Sequence, residues 1–224
     1  MIEDVRSYWR NRGKGYINEF KKHGFFTRRY FKRQELALLQ VLKGLEFETV
    51  LEVGCGFGRI TKLVLDNFPL VAKIKAIDIS PQQIESCRSY LSDNTGKVEL
   101  SAGLVQDLEA GENSYDLVFA AEVLMHIPFD EIQVVLAKMV RTARKYVINL
   151  DWHGPAGKDL QGYCFAHDYS ALYSNLGIED IRAVPVPRAT LYSVGFGLDD
   201  GLKIARKHGE LQQIWIAGKS KDTG

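Results

Sequence analysis

The sequence predicts an α/β fold in which a mostly parallel sheet is covered by helices on both faces. Three observations carry that expectation. From residue 47 onward, short apolar runs alternate with segments of helical period, the pattern of βαβ units. A glycine-rich turn, Gly54-Cys55-Gly56-Phe57-Gly58, directly follows the strand-prone run Thr49-Val50-Leu51. A second apolar run ends in a carboxylate, Asp78, about twenty residues further on, where such a unit presents an acid to a ligand.

In chain order, residues 1–45 are expected to form a helical cap segment, with residues 46–224 as the sheet domain. Leu36, Leu39, Val41 and Leu42 give the cap an apolar face, and Tyr8, Trp9, Tyr16, Phe20, Phe25, Phe26, Tyr30 and Phe31 add aromatic mass that needs something to cover. Strands are expected near 48–53, 73–78, 97–101, 115–121 and 145–150, and helices near 59–68, 81–92 and 130–143. Ser80 caps the second of these helices, with Pro81 at its first position. In the third, Ile132, Val135, Leu136, Met139 and Val140 recur at helical spacing, so one stripe lies on the sheet. Beyond residue 150 comes a loop rich in aromatics and glycine, an insertion near 152–168, then a helix from Asp168 to Leu176 ended by Gly177. Two late strands near 179–184 and 211–217 bring the sheet to seven. Between them, 185–210 is longer than a hairpin needs and reads as an insertion with its own short helix, Leu202 to Lys207.

The 224 residues, 46% hydrophobic and 25% charged, fit one globular domain rather than a disordered or membrane chain. No apolar run approaches the about 20 residues a membrane span requires, and the charged N-terminus lacks a signal segment, so a cytoplasmic protein is expected. Cys55, Cys87 and Cys164 are odd in number and far apart, which suggests neither a disulfide framework nor a zinc site; Cys55 reads as a filler of the turn. Net charge is +1, but residues 1–45 carry eleven basic side chains against four acidic ones. That segment is either a solvated helix surface or an attractor of anions such as nucleic acid.

Spacing within the glycine turn narrows the ligand. Glycines let backbone turn tightly after a strand and approach a bound molecule closely. A dinucleotide fingerprint G-x-G-x-x-G would need glycine at position 59, which is Arg59. The run Glu52-Val53-Gly54-Cys55-Gly56-Phe57-Gly58 instead resembles motif I of the class I S-adenosylmethionine-dependent methyltransferases. Ala76-Ile77-Asp78-Ile79-Ser80-Pro81, Gln106-Asp107-Leu108 and the stretch from Tyr115 through Glu122 to His126-Ile127-Pro128 resemble that family's following motifs, in order. The chain is most similar to its small-molecule, type-11/12-like branch.

The resemblance implies a Rossmann-like seven-stranded sheet, S-adenosylmethionine as cofactor and S-adenosylhomocysteine as product. By it, Gly54, Gly56 and Gly58 shape the floor under the methionyl and ribose parts, Glu52 stabilises the loop or, through water, the ligand's ammonium, and Asp78 accepts from the ribose hydroxyls. Ile79 would pack on adenine, Asp107 and Leu108 would meet its edge, and Glu122 would lie beside the methionyl group. Arg59 opens a helix, where a cation opposes the dipole, so a ligand or solvent contact is needed to justify it.

Methyl transfer from a sulfonium is an in-line displacement that depends mainly on alignment; a base serves only some acceptors. His126 is the first candidate base, with His153 and His167 as rivals. Magnesium of the catechol-methyltransferase kind is not expected, because Trp152 follows Asp151 where an amide is needed. Neither the Asn- or Asp-Pro-Pro-aromatic motif of base amino-methylation nor the Pro-Cys of cytosine C5 enzymes is present. The aromatic cluster Trp152, Tyr163, Phe165, Tyr169, Tyr173, Tyr192 and Phe196 suits a flat ring or an amine. The leading expectation is therefore methylation at oxygen or nitrogen of a small molecule by a monomer or homodimer. An RNA or protein acceptor drawn to the basic N-terminus, and a non-catalytic binding subunit on the same fold, stand as alternatives.

Overall fold

The computed structural model describes residues 5–219 apart from 14, 23–24, 92–94, 155–157, 162–163 and 187–210. Three helices come first: α1 (Val5–Arg12), α2 (Tyr16–Lys22) and α3 (Phe25–Leu42). The alternating region follows as β1 (Thr49–Val53), α4 (Arg59–Asn67), β2 (Lys73–Asp78), α5 (Pro81–Tyr90), β3 (Val98–Ala102), β4 (Tyr115–Ala121), α6 (Ile132–Thr142) and β5 (Ala143–His153). Then come β6 (Lys158–Gln161), β7 (Cys164–Ala166), α7 (Tyr169–Ser174), β8 (Asp180–Pro185) and β9 (Leu211–Gly218).

The seven-stranded sheet has the order β3-β2-β1-β4-β5-β9-β8, parallel except for β9, which runs antiparallel to both β5 and β8. The chain moves outward from β1 to β3, then returns to place β4 on the other side of β1. A crevice therefore opens at the carboxyl ends of β1 and β4, where the winding reverses. Below it, Asp116 of β4 accepts from the Thr49 N–H at 3.2 Å and from Arg144 Nη2 at 2.6 Å, tying three strand starts together.

Burial follows the two-residue period of each strand. Val50, Leu117, Phe119, Ile148, Ile214 and Ile216 pack on one face beneath Leu38 and Leu42 of α3, Ile60 and Val64 of α4, and Ile84 of α5. Leu51, Val53, Val118, Ala120, Val147 and Trp215 pack on the other against Leu136 and Met139 of α6 and Tyr169 and Tyr173 of α7. The carboxyl half of α3 is thus core, not merely cover.

Two departures from the sequence reading have physical causes. β5 runs past residue 150 through His153 because β9 pairs with it along its length, Asp151 against Gln213 and His153 against Leu211. Within the loop expected at 152–168, β6 and β7 form a separate two-stranded sheet; segments of three and four residues are too short to show an alternating pattern. Asp168 caps α7 as expected, accepting from Ala171 N–H at 3.1 Å. The expected helix Leu202 to Lys207 lies outside the described residues, as do Tyr163, Tyr192 and Phe196. Among the described residues, no helix is long and apolar enough to cross a membrane.

Candidate active site

The turn after β1 owes its shape to three left-handed glycines, Gly54 (φ 73°), Gly56 (φ 55°) and Gly58 (φ 92°), but the three do different things. A Cβ on Gly54 would overlap Val123 Cγ2, and one on Gly58 would come within 2.7 Å of Cys87 Sγ in α5. Those two allow close packing. A Cβ on Gly56 would meet nothing within 4 Å; it would project into a cavity of about 450 Å³ that Gly56 lines.

Asp78 joins this turn to the next one. Its Oδ2 accepts from Gly56 N–H at 2.8 Å and its Oδ1 from Ser80 N–H at 2.8 Å, while the Gly54 and Cys55 amides donate to Ile77 O at 2.7 and 2.9 Å. Burial pushes the Asp78 carboxyl above its ordinary pKa, against the two amide bonds, which lower it. Glu52, in β1 just before that turn, is buried and accepts from Thr61 Oγ1 at 2.5 Å. Desolvation raises it to about 8, so it is mainly protonated at neutral pH.

The cavity crosses the ends of β2, β1 and β4. Glu52, Gly54, Gly56, Asp78, Ile79, Glu122 and His126 all line it, as does Arg59. Gly58, Asp107, Leu108, His153 and His167 do not. After β3 a 3-10 turn, Val105–Asp107, points the segment differently from the sequence expectation: Leu108 N–H is donated to Val105 O at 3.2 Å, and Gly103, Leu104, Val105 and Gln106 form the wall. His167 is 2% exposed, its Nε2–H donates to Ile127 O at 3.0 Å, and burial lowers its pKa to about 4. His153 is bonded through Nδ1 to His167 O at 3.1 Å and packs on Trp215 at 4.9 Å. Of the three histidines His126 alone reaches the cavity; its Nδ1 lies 3.6 Å from Cys164 Sγ, and its ring lies 4.1 Å from that of Trp9.

Glu122 has φ 58°, an uncommon conformation for a residue with a Cβ. Its Oε1 accepts from Gln34 Nε2 at 2.7 Å, Tyr30 Oη at 3.0 Å and Gln212 Nε2 at 3.2 Å. Its Oε2 lies 3.5 Å from Arg59 Nη2. Arg59 also meets Glu35 Oε1 at 3.4 Å and Gln34 Oε1 at 3.3 Å, with its guanidinium 4.9 Å from the Phe31 ring centroid. These anions and the ring answer why a cation opens α4. The sequence reading missed Gln34 and Gln212, although each carried a signal. Gln34 shares a helical stripe with Leu38 and Leu42, Gln212 a strand face with Ile214 and Ile216, and both glutamines are buried. A polar side chain on a core face demands partners.

Asp151, the acid weighed for magnesium, is buried away from the cavity and accepts from Met125 N–H at 3.2 Å and Asn149 Nδ2 at 3.0 Å. Burial raises it to about 8. Among the described residues, no group of three or more His, Cys, Asp or Glu is placed to hold a metal ion.

A glycine turn, a carboxylate tying two turns together and a cavity at the switch point of a β3-β2-β1-β4-β5-β9-β8 sheet define the class I methyltransferase fold. Residues 50–145 match the family model described as a methyltransferase domain. The chain carries a methyltransferase domain over that segment, which runs from β1 into the start of β5. It is 35% identical over 95 residues to the malonyl-[acyl-carrier protein] O-methyltransferase of Acetivibrio thermocellus, covering 42% of this chain and 31% of that protein. It is 30% identical over 93 residues to the ubiquinone biosynthesis O-methyltransferase of Rickettsia bellii, covering 41% of this chain and 36% of that protein. The chain spans about a third of the length of these curated relatives. Across nearly the whole chain, the fold is similar to that of magnesium protoporphyrin IX methyltransferase from Synechocystis solved with bound S-adenosylmethionine, at a TM-score of 0.66 and 16% identity, covering 96% of this chain and 95% of that one.

Proposed function

We propose that this protein transfers a methyl group from S-adenosylmethionine to oxygen, or alternatively nitrogen, of a small-molecule acceptor in the cytoplasm. The observation that carries the reading is Gly56. Its missing Cβ leaves an open cradle beside a half-buried carboxylate, Asp78, in a cavity whose volume suits a small ligand.

When bound, the cofactor supplies an activated methyl on a sulfonium. Asp78 keeps acceptor capacity on both oxygens after bonding Gly56 and Ser80, because each carboxylate oxygen accepts more than one donor; it is assigned to the ribose hydroxyls. Ile79 offers an apolar face to the base. The first amides of the Val105–Asp107 turn have no carbonyl one turn earlier to bond, which suits Val105 N–H to the base edge in place of the expected Leu108. Trp9, Met125, Ile127 and Trp152 give the remaining wall its apolar character, and His126 is placed among them to take a proton from a hydroxyl acceptor. Oxygen is favoured because both curated relatives are named as O-methyltransferases. The RNA alternative is weakened because Arg6 pairs with Glu131 and Lys32 with Glu35.

Isothermal calorimetry with S-adenosylmethionine and S-adenosylhomocysteine tests the reading. Micromolar binding to the wild type, lost in a folded Asp78→Ala variant, is expected. Absence of binding to the wild type would overturn it.

A further inference from the structure

We propose that Asp151 and His167 are positioning residues: from two sides they hold the turn at residues 123–127 in the shape that presents His126 to the acceptor end of the cavity. The inference rests on the base role given to His126 above and names what that role depends on. Leu124–His126 form one 3-10 turn closed by two bonds of its own, His126 N–H to Val123 O at 2.9 Å and Ile127 N–H to Leu124 O at 3.0 Å. Bonds of this kind have poor geometry, and so short a turn needs outside support. Leu124 and Met125 are buried, so the backbone groups left over must find side chains in place of water.

Asp151 serves the amino end of the turn. It stands on β5, and its Oδ1 accepts from Met125 N–H at 3.2 Å; the Val123 N–H reaches the same carboxyl. That carboxyl is held from behind. Its Oδ2 accepts from Asn149 Nδ2 at 3.0 Å and Asn149 Oδ1 from Tyr173 Oη at 2.9 Å, so a relay of buried groups starting on α7 sets the carboxyl plane. His167 serves the other end, where its Nε2–H donates to Ile127 O at 3.0 Å. The rings of Phe129 and Tyr169 meet it edge to face at 5.3 and 5.7 Å and fix its plane. Burial keeps this imidazole neutral at neutral pH, so it has one N–H to give, and the turn takes it.

His126 lies between the two grips. Its ring is 4.1 Å from that of Trp9 and its Nδ1 is 3.6 Å from Cys164 Sγ, and all three side chains line the cavity. Cys164 opens β7 and His167 directly follows that strand. One short segment therefore meets His126 at its ring and, through Ile127, at its backbone. Asp151 and His167 do not line the cavity themselves, so each would act on an acceptor only through the imidazole they place. A misplacement of about 1 Å at a reacting group can cost about 100-fold in rate.

Proton NMR of the full chain tests the assignment with no acceptor in hand. The probe is the nuclear Overhauser contact between the rings of Trp9 and His126, with that between Phe47 and Phe68, 5.1 Å apart in the core, as internal reference. His126→Phe identifies the His126 signals. Asp151→Ala and His167→Leu are each expected to lose the Trp9–His126 contact and keep the reference. Asp151→Asn, which retains an acceptor for Met125 N–H, and His167→Gln, which retains a donor for Ile127 O, are expected to keep both contacts. Tyr173→Phe, which removes only the hydroxyl behind Asn149, serves if the alanine variant does not fold and should weaken the contact. In all of them S-adenosylhomocysteine affinity by calorimetry should change less than about threefold. A Trp9–His126 contact that survives in folded Asp151→Ala and His167→Leu would overturn the proposal, leaving the pair a role in stability alone. A matching loss of S-adenosylhomocysteine affinity would also overturn it, because the pair would then shape the whole pocket. The base role fails separately, if His126→Phe retains methyl transfer to an acceptor found by screening.

Discussion

The two walls of the cavity are made of different material. The wall from β1, β2 and their turns is mostly backbone: left-handed glycines, the Ile77 carbonyl that holds two amides, and Asp78 bonded to amides 22 residues and two residues away. The wall from α3 and the ends of β4 and β9 is side chain, with Gln34 and Gln212 bonded across 178 residues of sequence and Tyr30 and Gln212 across 182. The first wall is close to fixed by local conformation. The second exists only when three separate elements have docked.

The largest expected effect separates packing glycines from ligand glycines on the backbone wall. Gly54→Ala combines a left-handed conformation with overlap on Val123 and is expected to cost more than about 3 kcal/mol in urea denaturation. Gly56→Ala has the left-handed term alone, about 1–2 kcal/mol, yet should abolish S-adenosylhomocysteine binding by calorimetry. Equal stability losses would erase that distinction.

Next in size is a pH dependence rooted in Glu52. Its folded-state pKa is about 8 against an ordinary 4.5. Between those values the unfolded chain has released its proton while the folded chain retains it, so stability is fully present below about pH 4.5 and falls as pH rises toward 8. Glu52→Gln should flatten that slope by about 1 kcal/mol per pH unit, read from urea midpoints across the range. An unchanged slope would place the loss on Asp151, which is shifted in the same direction.

The smallest effect probes the side-chain wall. Gln34→Leu and Gln212→Leu are each expected to cost about 1–2 kcal/mol, since each strips a donor from Glu122. The double variant should cost less than the sum, because the glutamines also bond each other. Additive losses would mean that the network does not act as a unit.

That contrast also explains what was legible in the sequence. Strands β1, β2, β4 and β9, the Ser80 cap and the glycine turn follow from local chemistry and lie within a residue of their expected positions. The place of Asp78 at the end of β2 was legible for the same reason. The 3-10 turn after β3, which brings Gly103 to Gln106 rather than Asp107 and Leu108 to the cavity, leaves no periodic trace, and the short β6–β7 sheet leaves none either. His126 could be separated from His153 and His167 only by tertiary burial. Partners 88 to 182 residues apart, such as those around Glu122, are invisible to any window of sequence.

Gln212 sits near the start of β9, which follows every other described strand in sequence yet is inserted between β5 and β8. A nascent chain already holds the glycine turn, Asp78 and Arg59 long before that residue leaves the ribosome, yet Glu122 then lacks one of its three neutral donors. Vectorial synthesis thus finishes the side-chain wall last. Completion of that wall becomes a report on translation past residue 212, and a chain stopped before residue 211 would carry every glycine of the turn after β1 without the finished wall opposite it.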